Sequence, residues 1–196
     1  MRKYRLENNM KYQIDYADPT HPRITELLRQ SHNLMDELFP DETNNYLEIE
    51  ALLDKAVHFF AAQDINGKYV GCGAFVLFSD YAEIKSMFVD PKYRGKRIGD
   101  ALLVHMLGNL ADNSVPVVKL ETGTLLKSAL NLYHKHGFQY CDAFAHYTEN
   151  DYSVSWKKND NLIKYTYTIL RLMNCRPQCH LKKSPTINYL YLSLTR

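Results

Sequence analysis

The stretch VDPKYRGKRIGDALL, Val89 to Leu103, packs four cations and two glycines between an apolar run that stops at Asp90-Pro91 and a renewed apolar pattern of helical spacing. A strand ending in Asp-Pro, followed by a glycine-containing turn that opens a helix, aims several unpaired backbone N–H groups and the positive helix end at one place. Phosphate is the group such a place would hold. No Gly-Lys-Ser/Thr follows four residues after a glycine, and G-x-G-x-x-G is absent, so neither common nucleotide motif applies. Spacing alone leaves two readings open, an anion cradle and a plain basic connection.

The other groups able to do chemistry are scattered. Glu83 lies two residues before Lys85 in YAEIKSMFV, which puts both on one face of a strand. Glu121 ends the apolar run VVKLE, and Tyr133 is one of fifteen tyrosines. Between Gln30 and Asp54 lie Asp36, Glu37, Asp41, Glu42, Glu48, Glu50 and Asp54 with no Lys or Arg. That run is either a solvated helix face or an acidic lining that would attract a cationic amine. His32, His58, His105, His134 and His136 show no ligand spacing, and Cys175, Cys179 and His180 lack a second ligand pair, so no metal is expected.

These residues must be carried by one domain, since 196 residues with 45% hydrophobic content build one compact core and not two. No run approaches the roughly 20 apolar residues that cross a bilayer, and Met1 to Met10 is polar, so a cytoplasmic protein without membrane contact is expected. The four cysteines have no regular spacing and read as reduced thiols. Of the net charge of +2, residues 157–196 carry +7 and the remainder −5. An acidic body argues against nucleic acid as a partner.

Periodicity places a strand at Tyr12–Ala17, a helix from about Ile24 to Leu38 and a shorter helix at Leu47–Asp54. Val57–Ile65 and Lys68–Phe78 are strands joined through Asn66-Gly67 as a hairpin, and Ala82–Val89 is the next strand. The order then changes to helix Ile98–Leu110, strand Val115–Leu120, helix Leu126–His136 closed by Gly137, and strands Phe138–Phe144 and Tyr152–Trp156. The expected fold is α/β of the mixed α+β kind. Its central mixed sheet has an antiparallel N-terminal half and a βαβ C-terminal half, with about four flanking helices and the Asp90–Gly99 loop at the transition.

YRGKRIGDALL after AEIKSMFVDP, then VVKLETG, then ALNLYHKHGF, resembles in order and spacing the GNAT family of N-acetyltransferases. LFPDETNNYLEIEALL, FFAAQDINGKYVGCGAF and FQYCDAFAHYTENDYSV resemble one bacterial branch of small acetyltransferases of loosely defined substrate. The similarity covers about residues 11 to 158. It implies that main-chain N–H groups of the loop hold the pyrophosphate of acetyl-CoA. The family pattern Gln/Arg-x-x-Gly-x-Gly/Ala maps onto Arg94, Arg97 and Gly99, with Arg97 in the place of its first glycine. The implied binding set is Met87, Phe88 and Val89 on the strand, Arg94, Gly95, Lys96, Arg97, Ile98, Gly99 and Asp100 in the loop and helix start, and Asn131 on the later helix. Leu126 stands where relatives often carry Asn or Gln toward the pantetheine arm, so that polar contact is not expected.

For acetyl transfer the resemblance implies Tyr133 as the group that meets the departing thiolate, since a phenol can donate to it near neutral pH. Glu83 is the preferred general base, Glu121 the competing one, and a water chain without a single base the third choice. A main-chain N–H near Met87 or Val89 would polarise the thioester carbonyl. The expected function is transfer of acetyl from acetyl-CoA to a primary amine, with a small molecule as the acceptor and a homodimer left open. Two alternatives stand beside it: a non-catalytic acyl-CoA-binding sensor module, which Arg97 and Leu126 keep open, and a protein or peptide N-acetyltransferase.

The domain is expected to span residues 1–158. Residues 159–196 contain no Ala, Gly, Val, Glu or Phe and read as an atypical basic tail, by preference a frameshift or read-through of the normal stop. The alternative is a basic appendage that pairs with an acidic partner or with the acidic body.

Overall fold

The computed structural model describes residues 12–113 and 115–159. Strand β1 (Tyr12–Tyr16) leads to helix α1 (Pro22–Leu38), then to β2 (Val57–Asp64), β3 (Tyr69–Leu77) and β4 (Ala82–Val89). Helix α2 (Ile98–Asp112), β5 (Val117–Gly123), helix α3 (Lys127–Lys135), β6 (Gln139–Cys141) and β7 (Ser153–Asn159) follow. They form one seven-stranded sheet in the order β1-β2-β3-β4-β5-β7-β6. Only β4 and β5 run parallel, with α2 as the crossover between them. The mixed α/β sheet with its antiparallel first half is the fold expected from the pattern.

Alternation along β2 sorts the two cores. Phe60 and Ala62 point to the face covered by α2, where Phe75, Ile84, Leu102, Met106, Leu120 and Trp156 are buried with them. Phe59 and Ala61 point to the face covered by α1, against Ile24, Leu27, Leu28, Cys72, Ala74 and Phe88. Each fully buried large side chain contributes roughly 1.5–3 kcal/mol, so two such layers fix the sheet between its helices.

The β2–β3 hairpin turns where Asn66-Gly67 signalled it. Only Gly67 has positive φ, at 78°, and the Asp64 carboxylate accepts from the N–H groups of Asn66 and Lys68. This is a three-residue loop with a left-handed glycine, not the two-residue turn that needs positive φ twice. The helix expected at Leu47–Asp54 is absent. A single 3-10 turn, Ala51–Leu53, takes its place without a side-chain cap, and buried Leu52 anchors it. So short a segment does not offset the cost of helix nucleation, and three α-helices form among the described residues instead of about four. The strand expected over Phe138–Phe144 is limited to Gln139–Cys141, because Phe144 turns out to pack edge-on against Tyr81 and Tyr147.

Candidate active site

The site begins with a flaw in β4. Gly71 pairs with Val89, Cys72 with Phe88, and Ala74 with Lys85, so Gly73 alone opposes both Ser86 and Met87. Ser86 takes φ 54° to accommodate the extra residue, a β-bulge that bends the strand. A Cβ on Gly73 would lie 2.6 Å from the Met87 sulfur, so a larger residue opposite the bulge would displace the Met87 side chain. The parallel ladder to β5 is recorded only at Ala82↔Val118 and Glu83↔Lys119. Beyond those pairs β4 and β5 separate, and among the described residues their facing edges have no strand partner.

β4 ends at this gap in the basic loop. Asp90 accepts from the Lys92 N–H and caps the 3-10 turn Pro91–Tyr93, while Arg23 of α1 pairs with its other oxygen. Burial raises the Asp90 carboxyl, but Lys92 and Arg23 outweigh it and hold the group below its ordinary value. Gly95 and Arg97 have φ of 76° and 63°, so two left-handed residues flank Lys96 and turn the chain into α2. The first bond of that helix runs from the Ala101 N–H to the Arg97 carbonyl at 3.1 Å. Among the described residues, the N–H groups of Gly95 through Asp100 donate to no protein acceptor. They form a backbone nest at a helix N-terminus, and open space lies where a Gly95 Cβ would be. The residues fit a pyrophosphate.

The sheet face toward α1 carries the titratable groups. Glu83 is 3% exposed, and its Oε1 accepts from the Tyr147 hydroxyl and lies 3.4 Å from Lys85 Nζ. Lys85 Nζ also donates to the Tyr147 oxygen at 2.6 Å and to the Asn45 carbonyl at 2.8 Å. Oε2 of Glu83 accepts no hydrogen bond among the described residues, and it is not one of the sealed unpartnered atoms, which are Asn44 Oδ1, Ser86 Oγ and Trp156 Nε1. Burial and the neighbouring Glu83 push the Tyr147 phenol far above its ordinary value, so it stays a donor. Glu121 lies on the same face, where burial raises its carboxyl against the opposing influence of Ser153 and Lys85. At the end of β5 the Phe39 ring sits on Gly123, where a Cβ would come within 2.2 Å of Cζ. The connection after α1 is thereby seated over the gap.

A family model described as Acetyltransferase (GNAT) domain matches residues 54–140. The IAA acetyltransferase of Azospirillum brasilense is 30% identical over 147 residues, which cover 74% of this chain and 95% of the relative. The chain belongs to the GNAT acetyltransferase family. A solved Klebsiella pneumoniae protein, provisionally described as an acyl-CoA N-acyltransferase, is 28% identical with a TM-score of 0.63, over 76% of this chain and 97% of that one. The PaiA N-acetyltransferase of Thermoplasma acidophilum, solved in complex with coenzyme A, shares the fold with a TM-score of 0.60 at 16% identity, over 76% and 99% of the two chains.

In this acetyltransferase the expected binding residues fall into two sets. Arg94, Gly95, Lys96 and Arg97 are exposed in the loop, Ile98 is buried beneath it, and Gly99 lies in the first turn of α2, where a Cβ would face Leu132 and Val89. Met87 and Val89 pack toward α2, Phe88 is buried on the α1 side, and Asn131 is exposed on α3. The Asp100 carboxylate does not face the nest unpaired; Lys135 and His136 of α3 bind it, the latter at 3.0 Å. Glu83 and Glu121 share a face, but Tyr133 is buried in the core on the α2 face. Its ring meets Phe138 at 5.7 Å, while Phe138 N–H donates to the Tyr133 carbonyl and Gly137 N–H to that of His134. That is the hydrophobic contact of a Schellman C-cap, a structural duty for Tyr133 that needs no chemistry.

Tyr147 and Asn45 are the members that residue spacing did not single out for the site, whereas Lys85 lies on the strand face that its two-residue spacing from Glu83 predicts. The two stand up to 64 residues from Glu83 in sequence, and neither connection that delivers them has a periodic pattern. Among the described residues no helix is long and apolar enough to cross a membrane, and no group of three or more His, Cys, Asp or Glu is placed to hold a metal.

Proposed function

We propose that the enzyme transfers acetyl from acetyl-CoA to a small primary amine, with the donor on the loop side of the β4–β5 gap and the acceptor on the Glu83 side. The observation that carries this reading is the unpaired N–H nest at one end of the gap and a carboxylate with one free oxygen beside it. A fold neighbour solved with coenzyme A supports the choice of donor. Acetyl-CoA supplies a thioester carbonyl open to attack by an amine. The N–H groups of Gly95 to Asp100 would hold its pyrophosphate, and the cations of Arg94, Lys96 and Arg97 would add charge complementarity. An N–H on the free edge of β4 near Met87 would polarise the carbonyl.

Glu83 takes the proton of the acceptor ammonium on Oε2, because Tyr147 and Lys85 occupy Oε1 and fix the plane of the carboxylate. Glu121, with its raised carboxyl, is the competing base. Tyr133 keeps its proton throughout the neutral range, since burial pushes its phenol well up, and it would donate to the departing thiolate. The acidic residues Asp36, Glu37, Asp41, Glu42, Glu48 and Glu50 are exposed around the connection that covers this face, which favours a cationic acceptor.

The test is a panel of monoamines, diamines, amino acids and short peptides with detection of free CoA thiol. Turnover with small amines and little with peptides is expected. Thiol release at background for every member would favour a binding module, and peptides as the best acceptors would reject the small-amine reading. Glu83→Gln should lower kcat/KM by roughly 10²–10⁴-fold at neutral pH, and the loss should shrink as pH rises and free amine forms unaided. A loss independent of pH would remove Glu83 from proton transfer.

A further inference from the structure

The ammonium of Lys85 joins three separate segments. It reaches Glu83 on its own strand, the Asn45 carbonyl in the connection from α1 to β2, and the Tyr147 hydroxyl in the connection from β6 to β7. The ammonium donates to the last two of these and pairs by charge with the first. Its side chain is 10% exposed, and the group also lies 5.2 Å from the centroid of the Tyr147 ring. Neither connection has regular structure between Asn44 and Glu50 or between Asp142 and Tyr152. Each is anchored at its far side on the end of β5, the first by Phe39 on Gly123 and the second by the Thr124 N–H bond to the Tyr152 carbonyl at 2.8 Å. Lys85 therefore closes a bridge between two irregular segments that are both anchored at the end of β5.

We infer that Lys85 is a positioning residue for the acceptor: it ties the Asn45 and Tyr147 segments together over the Glu83 face and so sets the apparent affinity for the amine without touching the donor. The inference rests on the reading of that face as the acceptor side. A buried ion pair contributes little net stability compared with apolar packing, so the placement is better explained by holding a geometry than by stabilising the fold. The same contact fixes the direction of Tyr147. With its oxygen accepting from Lys85, the hydroxyl proton points to Glu83.

Lys85→Met keeps the length and apolar stem of the side chain and removes the three donors. Hydrogen exchange followed by mass spectrometry should show residues 41–50 and 142–151 losing protection together, with α2 and β3 unchanged. With putrescine as the amine probe, its KM should rise about tenfold or more, while KM for acetyl-CoA stays within about twofold. Lys85→Arg, which keeps charge and donors, should restore most of both effects. Loss of protection in one segment only, or in neither, overturns the inference, and so does an unchanged putrescine KM when both segments loosen. If Glu83→Gln is also fully active, the assignment of the acceptor face has failed and the bridge alone stands. Should the methionine variant not fold, Lys85→Gln, neutral and shorter, is measured in its place with the same expected directions.

Discussion

Arg97 holds a left-handed backbone at φ 63° directly before α2, a conformation that costs a residue with a Cβ roughly 1–2 kcal/mol. Glycine is free of that cost, which explains in physical terms why the family pattern has glycine at this position. Because the nest works through N–H groups, Arg97→Gly should raise stability by about 1 kcal/mol, read as a higher Tm, while calorimetry finds CoA affinity within a few-fold of wild type. A loss of more than tenfold would mean that the guanidinium and not the backbone makes the contact. Gly99 is different: a Cβ there meets Leu132 and Val89 at 3.6 and 3.9 Å, ordinary contacts, so its small size is not forced by backbone conformation. Tyr133 separates packing from chemistry in a single atom. Its ring completes the C-cap of α3, and its hydroxyl has no hydrogen-bond partner among the described residues. Tyr133→Phe should therefore leave Tm nearly unchanged and lower kcat by roughly ten- to a thousandfold, and a variant with full kcat would leave Tyr133 as a capping residue only.

The elements that place these residues were legible to the degree that local rules govern them. Alternation in Val57–Asp64 and Tyr69–Leu77, the glycine turn between them and the Gly137 cap all act over a few residues, and each is found where the pattern puts it. The bulge at Ser86–Met87 is not local, since it exists only relative to Gly73 on the neighbouring strand, and no periodicity in AEIKSMFV announces it. The brace between α1 and the basic loop is of the same kind, Arg23 reaching Asp90 across 67 positions. With its folded-state pKa held below the unfolded value, Asp90 contributes stability that is present above about pH 4 and lost as pH falls through the lower, folded value. Asp90→Asn should thus cost about 1–3 kcal/mol at pH 7 in urea denaturation. The gap between variant and wild type should begin to narrow below about pH 4 and close as pH falls through the lower, folded value, where the wild-type carboxyl is protonated too. An equal gap at both pH values would assign the effect to the shape of the turn and not to the charge.

Across the whole molecule, composition separates two parts that the structure describes unequally. The acidic body holds both cores, the nest and the Glu83 face, and its last strand runs through Asn159, which pairs with Val117 of β5. Lys158 is almost fully buried, and its ammonium donates to the His136 carbonyl at 2.7 Å, so this residue belongs to the fold and closes the end of α3. The reading of 159–196 as a frameshift or read-through product begins on the last residue of β7, Asn159, and the rest of it, 160–196, lies outside the described residues. The strand register nevertheless sharpens its test, since a stop placed after Asn159 keeps the complete β5–β7 ladder, whereas a stop after Lys158 removes its last pair. A protein ending at Asn159 should match the full chain in Tm, in CoA affinity by calorimetry and in turnover of the amine panel, and limited proteolysis of the full chain should converge on that length. A fall in Tm of several degrees, or a change in oligomeric state by light scattering, would show instead that the six cations and one acid of residues 160–196 act on the acidic body or on a second copy of it. High salt would then separate the two, because a charge-driven association of exposed groups weakens as the Debye length falls below about 10 Å, while an apolar one does not.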